Sequence, residues 1–248
     1  ILAAYDNKTK AIRALPVAAK GTDEEAVKWL VDIIEEMGYV GEKIVLKSDQ
    51  EPSILALNRA VAVTRDGQTC PIESPVRESK SNGAMGRAVR TWQGQMRTMR
   101  SCFETRMQKK LPADHVLTNW MALWAADMMN KCHVHMNGQT THEVITSHKW
   151  HNPMTSFGEV VMFKLATDKG NRHKLDSEWG RGILVGMSGR TTEMIVATSE
   201  GVYKCRTVRR VPRETMTDRE CLDKIRVSVS EFLKQGAKTT NHEPKVVE

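Results

Sequence analysis

The strongest constraint on the fold is the order in which strand-like and helix-like segments follow one another. Over residues 1–152, short apolar runs alternate with segments of helical periodicity. After Pro153, short strand-like runs are separated by turn residues. The first pattern is typical of an α/β fold, and the second is typical of a small β-barrel. We therefore predict an α/β domain over 1–152 and an all-β domain over 153–212, followed by a helix and a disordered tail over 213–248.

The apolar periodicity and the turn residues also predict the individual elements. In the first domain we expect a hairpin over 1–17, helices over 21–38, 51–67, 83–110 and 113–132, strands over 43–49 and 70–76, and a short helix or turn over 141–150. After Pro153 we expect strands within 157–167, 181–189, 192–199 and 201–211, a hairpin turn over 198–201, and one last helix over 217–235.

Composition narrows the class of partner. The net charge is +7, which favours a polyanion such as nucleic acid, although a merely soluble basic surface would have the same charge. The five cysteines are scattered, odd in number and without a CxxC pair, so we expect no disulfide framework. No apolar run is long enough to span a membrane, and no signal peptide is visible. We expect no membrane partner and no small-molecule substrate.

The helix over 83–110 has two distinct faces. Its apolar stripe consists of Met85, Val89, Trp92, Met96, Met99, Phe103 and Met107. Its second face consists of Gly86, Arg90, Gln93, Arg97 and Arg100, and the helix holds seven basic residues and one acid, Glu104. A phosphate backbone would accept such a face, and a solvated basic helix is the alternative. Gly86 is unexpected, because glycine costs a helix about 1 kcal/mol relative to alanine.

Two motifs at a characteristic spacing resemble a known family. The strand that ends in "LKSDQEP" places Asp49 where a pattern like "lrSDnGgEf" has an aspartate, and "SNGAMGR" aligns with "QNGvaER", which places Gly86 at the position of a glutamate. In this order and spacing the chain resembles the integrase core of Copia-type LTR retrotransposons and retroviruses. The resemblance extends over roughly residues 1–212.

The resemblance implies both an architecture and a chemistry. The architecture is an RNase H-like core, with a mixed sheet flanked by helices, followed by a small SH3-like β-barrel. The chain would begin inside the core, with the first strand missing. The chemistry is metal-dependent phosphoryl transfer on DNA, in which three carboxylates hold two Mg²⁺ or Mn²⁺ ions. Here Asp49 would be the second carboxylate and a weak metal ligand without partners, while Gly86 has no side chain to coordinate a metal.

The resemblance therefore implies an inactive, degenerate integrase core that does not bind the metals productively. Its expected partners are DNA or RNA and a second copy of the chain, and its location is intracellular, or nuclear if the family role is retained. The expected nucleic-acid contacts are Lys80, Asn82, Arg87, Arg90, Gln93, Arg97 and Arg100. A non-enzymatic nucleic-acid-binding module and an oligomerisation module remain alternatives.

Three weaker signals in the sequence suggest additional binding residues. Asp6 is the one early carboxylate that could substitute for the missing aspartate, but it lies in a turn. Cys132 and His135 have the spacing of one zinc-ligand pair, but no second pair accompanies them. The basic residues of the last predicted strand could contact nucleic acid or could protect a sheet edge from aggregation; they are Lys204, Arg206, Arg209, Arg210 and Arg213.

Overall fold

The structure is a computed structural model that describes residues 1–75, 82–151, 155–165, 177–188, 191 and 193–235. The predicted disordered tail over 236–248 lies outside the described residues. The chain forms two compact units, and the first comprises Ile1–Thr98 and Ala125–His151. The second comprises Met99–Trp124 and Asn152–Glu248.

The strands of the first unit form two separate pairs. β1 (Leu2–Tyr5) and β2 (Ile12–Leu15) are antiparallel, while β3 (Ile44–Ser48) and β4 (Thr69–Glu73) are parallel. The predicted mixed α/β character is confirmed. Among the described residues, however, no strand joins the two pairs into one continuous sheet. The RNase H-like topology therefore stays a prediction.

Two helices cover one face of these strands. α1 (Glu24–Glu36) and α2 (Pro52–Thr64) bury an apolar cluster that includes Leu30, Ile33 and Val61, and side chains from β1 and β3 pack against it. α1 has Glu24 and Glu25 in its first turn, which suits the positive end of the helix dipole. Pro52 lies at the first helical position of α2, where its missing N–H costs nothing.

The remaining helices before residue 152 follow the sequence predictions closely. α3 (Gly83–Met107) and α4 (Val116–Cys132) are long helices, and each contributes residues to both compact units. α3 ends just before Gln108, which has a left-handed backbone with φ of 49°. α5 (Thr141–Thr146) begins with a capping box in which Thr140 and Glu143 bind each other's backbone N–H groups.

The second unit contains an antiparallel sheet in the order β8-β7-β6-β5-β9. Its strands are β5 (Val160–Lys164), β6 (Trp179–Met187), β7 (Met194–Ala197), β8 (Val202–Cys205) and β9 (Val208–Arg210). The predicted all-β region and the hairpin turn over 198–201 are confirmed, with Thr198 N–H donating to the Gly201 carbonyl at 2.8 Å. Closure of this sheet into an SH3-like barrel stays a prediction.

Two predictions for the C-terminal third are wrong. The run over 201–211 is two strands, because β8 pairs with β7 whereas β9 pairs with β5. The last helix is divided into α6 (Arg219–Lys224) and α7 (Val229–Gln235). The physical reason is a second N-cap: Ser228 Oγ accepts a hydrogen bond from Glu231 N–H at 3.1 Å, and Glu231 accepts one from Ser228 N–H at 2.7 Å.

Candidate nucleic-acid interface

Ser74 links the carboxyl end of β3 to Asn82 just before α3. The hydroxyl of Ser74, just after β4, lies 3.0 Å from the Ser48 carbonyl and 2.8 Å from Asn82 Oδ1. Asn58 of α2 donates to the Ser48 hydroxyl at 2.9 Å. Asp49 follows Ser48 directly and is exposed. The structure therefore brings the strand end that carries Asp49 to the residue that precedes α3.

Gly86 lies in the first turns of α3 and is exposed. A Cβ atom built on Gly86 would meet no heavy atom within 4 Å. The backbone and the surroundings therefore leave room for a larger side chain, so packing does not explain the glycine. A helical glycine in open space lowers stability without a compensating contact.

The two residues that the resemblance places at this edge, Asp49 and Gly86, do not make a two-metal site. Two divalent cations held by a protein require several carboxylate oxygens, and Asp49 with Gly86 offers one carboxylate. Over the part of the chain that the structure describes, no three His, Cys, Asp or Glu side chains are grouped closely enough to hold a metal. Asp6 already has partners, since it accepts hydrogen bonds from Lys8 and Thr9 in its own turn and from the Tyr39 hydroxyl in the loop after α1.

The first half of α3 presents a basic surface. Arg87, Arg90, Gln93 and Arg97 are all exposed. Arg90 Nε donates to the Gly86 carbonyl of its own helix at 3.3 Å. Within the described ranges, no carboxylate lies at ion-pair distance from any of these three arginines. We call this surface, formed by Arg87, Arg90, Gln93 and Arg97, the α3 arginine face.

The second half of α3 is different, because its cations already have partners in the protein. Arg100 donates to Glu104 at 2.9 Å and to the Leu111 carbonyl at 2.5 Å, and Lys110 lies 3.0 Å from the same carboxylate. Hydrogen bonds from Arg100, Lys110 and the Leu111 N–H lower the pKa of Glu104 to about 2. Arg100 thus holds the end of the helix together, and its predicted contact with nucleic acid stays a prediction.

Two further cations near the end of α3 are also engaged. Arg106 donates to the Phe157 carbonyl, and Lys109 lies 2.7 Å from a carboxylate oxygen of Asp223 in α6. Of the other predicted contacts, Asn82 is held by Ser74 as described above, and Lys80 lies outside the described residues. The unpaired positive charge of α3 is therefore concentrated in its first half.

The basic residues of the last strands have structural roles. Arg210 makes two hydrogen bonds to the buried carboxylate of Glu159, at 2.6 and 3.1 Å. Arg206 lies 3.6 Å from Glu193. Arg209 lies 4.5 Å from the centroid of the Trp179 ring, and Lys204 lies 5.5 Å from that of Phe232. Lys204, Arg206, Arg209 and Arg210 therefore have partners within the protein, and contact of this group with nucleic acid stays a prediction.

Sequence reasoning missed the side chains that fix the site. Asn58 and Ser74 carry no motif of their own, and Ser48 was noted only as part of the motif around Asp49. The hydrogen-bond partners of these three residues lie 8 to 26 residues away in sequence. His135, the histidine of the candidate zinc-ligand pair, has a partner within the protein, since its Nε2 lies 2.9 Å from the Thr141 hydroxyl.

Comparisons with known proteins give little further information. No protein-family model matches the chain, and no curated protein matches it significantly. Among solved structures, a chain of the simian T-cell lymphotropic virus intasome in complex with the PP2A regulatory subunit B56 gamma aligns at a TM-score of 0.43. The alignment has 14% sequence identity and covers 85% of this chain and 71% of that one. Among the described helices, none is both long and apolar enough to cross a membrane.

Proposed function

We propose that this chain is an integrase-like nucleic-acid-binding protein of retrotransposon origin that has lost catalysis. The observation that supports binding is the α3 arginine face, where three exposed guanidinium groups have no carboxylate partner among the described residues. An exposed helix without a ligand usually gains stability from oppositely charged pairs one turn apart. The second half of α3 follows that rule through Arg100 and Glu104, and the first half does not.

The chemistry of the α3 arginine face suits a phosphate backbone. Arginine binds phosphate oxygens through two parallel N–H groups, and Gln93 adds an amide donor between Arg90 and Arg97. Such contacts carry no direct sequence information, so binding to DNA or RNA would be largely independent of sequence and strongly dependent on salt.

Loss of catalysis follows from the donor set at the strand edge. Gly86 stands where the resemblance places a metal-binding glutamate, and Asp49 alone cannot replace the missing carboxylates. The chain would therefore bind nucleic acid without Mg²⁺ or Mn²⁺. Incubation of labelled DNA ends with the protein and either metal should give neither nicking nor strand transfer, and metal-dependent activity above a buffer control would contradict this part of the proposal.

The binding test compares two variants of equal charge. The variant Arg90→Gln/Arg97→Gln removes two cations from the α3 arginine face. The control variant Lys164→Gln/Arg206→Gln removes two cations from the second unit. Fluorescence anisotropy with two unrelated oligonucleotides would measure affinity at several salt concentrations. We expect the α3 variant to bind both about tenfold more weakly, and the slope of log affinity against log salt to fall by about 1.8.

The control variant should bind as the unaltered protein does. Equal weakening in both variants would show that net charge alone, and not the α3 arginine face, determines affinity. Failure of the unaltered protein to bind either oligonucleotide at low salt would favour the alternative of an oligomerisation module, which sedimentation equilibrium would then test.

A further inference from the structure

A cleft in the first unit adjoins the α3 arginine face and shares Arg87 with it. It is about 180 Å³ in volume and opens between the β1–β2 hairpin, the first turns of α3 and the end of α4. This volume is well above the roughly 10–15 Å³ that a single water requires. Its polar lining includes Tyr5, Lys10, Arg87, Asn130, His133 and His135.

The lining is strongly biased towards positive charge. Lys10 and Arg87 are cations, and His133 and His135 become cations when they are protonated. Among the residues that the structure describes, no Asp or Glu lines the cleft, although the chain as a whole holds 30 of them. Three separate elements contribute these groups, so the bias does not come from a single basic stretch of sequence. An anion with several oxygen acceptors would complement the cleft.

The groups around the cleft are held in place by neighbouring contacts. Asn130, which is buried, makes two hydrogen bonds to the backbone of Ile12 in β2. The His135 ring contacts the buried Thr141 hydroxyl, and its centroid lies 5.0 Å from that of His133. Lys10 N–H donates to the Asp6 carbonyl at 2.9 Å, which fixes the hairpin turn. Lys10 Nζ donates to Asn7, which leaves further protons for a ligand.

We propose that this cleft binds a phosphate group, with Lys10, Arg87 and the two histidines as its cationic partners. The ligand class is a phosphate ester or inorganic phosphate, because an anion with several oxygens can accept from donors on three sides. The proposal goes beyond the α3 arginine face, since Lys10, His133 and His135 do not belong to that surface.

Binding in the cleft depends on pH. The charged or titratable groups that line it are Tyr5 and Lys10 of the hairpin, Arg87 of α3, and the two histidines after α4, while α5 contributes Thr141. Burial, together with His133 and Lys10, lowers the pKa of His135. A bound phosphate opposes this shift and raises the pKa. Affinity therefore increases as the pH falls.

The experiment follows the ring protons of His135 by NMR in the full chain, with and without ligand, at constant ionic strength set by chloride. The two probes are dimethyl phosphate, a diester whose charge is constant over this range, and inorganic phosphate. We expect the pKa of His135 to rise with at least one probe, and the affinity for it to be several-fold higher at pH 5.5 than at pH 7.5. An unchanged His135 titration with both probes would overturn the proposal.

The two probes distinguish the sources of the phosphate. A response to both assigns the cleft to the nucleic-acid backbone, and a response to inorganic phosphate alone assigns it to a free phosphate or monoester. Lys10→Asn removes one charge and retains a residue type that tolerates the left-handed backbone at this position, where φ is 65°. We expect this variant to bind roughly tenfold more weakly.

Two controls separate this proposal from the proposed function. Lys164→Gln should leave the His135 response unchanged, since Lys164 lies in β5 of the second unit. Arg90→Gln/Arg97→Gln should weaken oligonucleotide binding but leave the response to the small phosphates unchanged. If Lys10→Asn keeps full affinity in a chain whose amide spectrum shows native folding, the cleft is not the site and the proposal is wrong.

Discussion

The side-chain amide of Asn130 closes the outer edge of β2 by bonding to both backbone groups of Ile12. Asn130 Oδ1 accepts from Ile12 N–H at 3.0 Å, and Nδ2 donates to the Ile12 carbonyl at 2.7 Å. Both residues are buried. The amide therefore takes the place of a neighbouring strand at a position where water cannot satisfy the backbone.

Replacement of Asn130 by alanine should destabilise the protein by roughly 2–4 kcal/mol, because it leaves a buried N–H and a buried carbonyl without partners. Urea denaturation followed by circular dichroism would measure the loss. The matched control is Asn137→Ala in an exposed turn, for which we expect less than about 1 kcal/mol. Equal losses in the two variants would show that the Ile12 contacts are not important for stability.

The ion pair between Glu159 and Arg210 stabilises the five-stranded sheet of the second unit. The Glu159 side chain is 1% exposed, whereas that of Arg210 is 58% exposed. Arg210→Gln leaves a buried carboxylate without its cation, and we expect a loss of about 2–3 kcal/mol. Arg209→Gln, which removes a neighbouring exposed cation that stacks on Trp179, should cost less than about 1 kcal/mol. A larger loss in the second variant would contradict the assignment.

Gly86→Ala should stabilise the protein by about 0.5–1 kcal/mol, since the new methyl group meets open space and alanine favours the helix. Gly158→Ala is the opposite case. Gly158 has φ of 72°, and an added Cβ would clash with the Phe103 ring, so we expect a marked loss of stability. Chemical denaturation of both variants tests the pair, and destabilisation by Gly86→Ala would show that the helix needs the glycine.

Asp6 should make a pH-dependent contribution to stability. Burial opposes ionisation of its carboxylate, but hydrogen bonds from Thr9, Lys8 and Tyr39 outweigh burial and lower the pKa of Asp6 below 3.8. Burial and the hydrogen bond to Asp6 raise the pKa of Tyr39 to about 12. Because the folded pKa of Asp6 is depressed, the stabilisation is complete above pH 3.8 and is lost as the pH falls through the lower folded value.

Asp6→Asn should therefore be less stable than the unaltered protein by about 1–2 kcal/mol at pH 7, and the difference should shrink at pH 3. Free energies of unfolding at the two pH values give the measurement. Asp66→Asn, at an exposed position, serves as the control and should change stability little at either pH. A difference that grows on acidification would contradict the sign of the effect.

Local patterns predicted most of the fold. The apolar periodicity of α1, α3 and α4 and the turn between β7 and β8 are properties of short segments, and the structure has these elements close to their predicted bounds. The Ser-x-x-Glu signature at Ser228 was also present in the sequence, and its recognition would have divided the last helix correctly.

What could not be predicted depends on long-range pairing. Nothing near Arg206 shows that the chain leaves β8 and continues in β9 beside β5, because that choice depends on a strand some fifty residues earlier. The candidate interface on α3 likewise depends in part on residues that are distant in the sequence. The charge of α3 and the one-turn spacing of Arg100 and Glu104 were visible in the sequence, but Asp223 as the partner of Lys109 required the three-dimensional arrangement.

The division of the strands into small sheets has a consequence for how the backbone exchanges its amide hydrogens with solvent. Each strand of the two-stranded pairs has a hydrogen-bonded neighbour on one side only within the described residues, whereas β5, β6 and β7 have neighbours on both sides. Amides on such edges open by fraying, without unfolding of the core. Among the amides of the strands, those of β5–β7 should therefore exchange most slowly in deuterated buffer. Those of β1–β4 should exchange first, except where Asn130 holds Ile12.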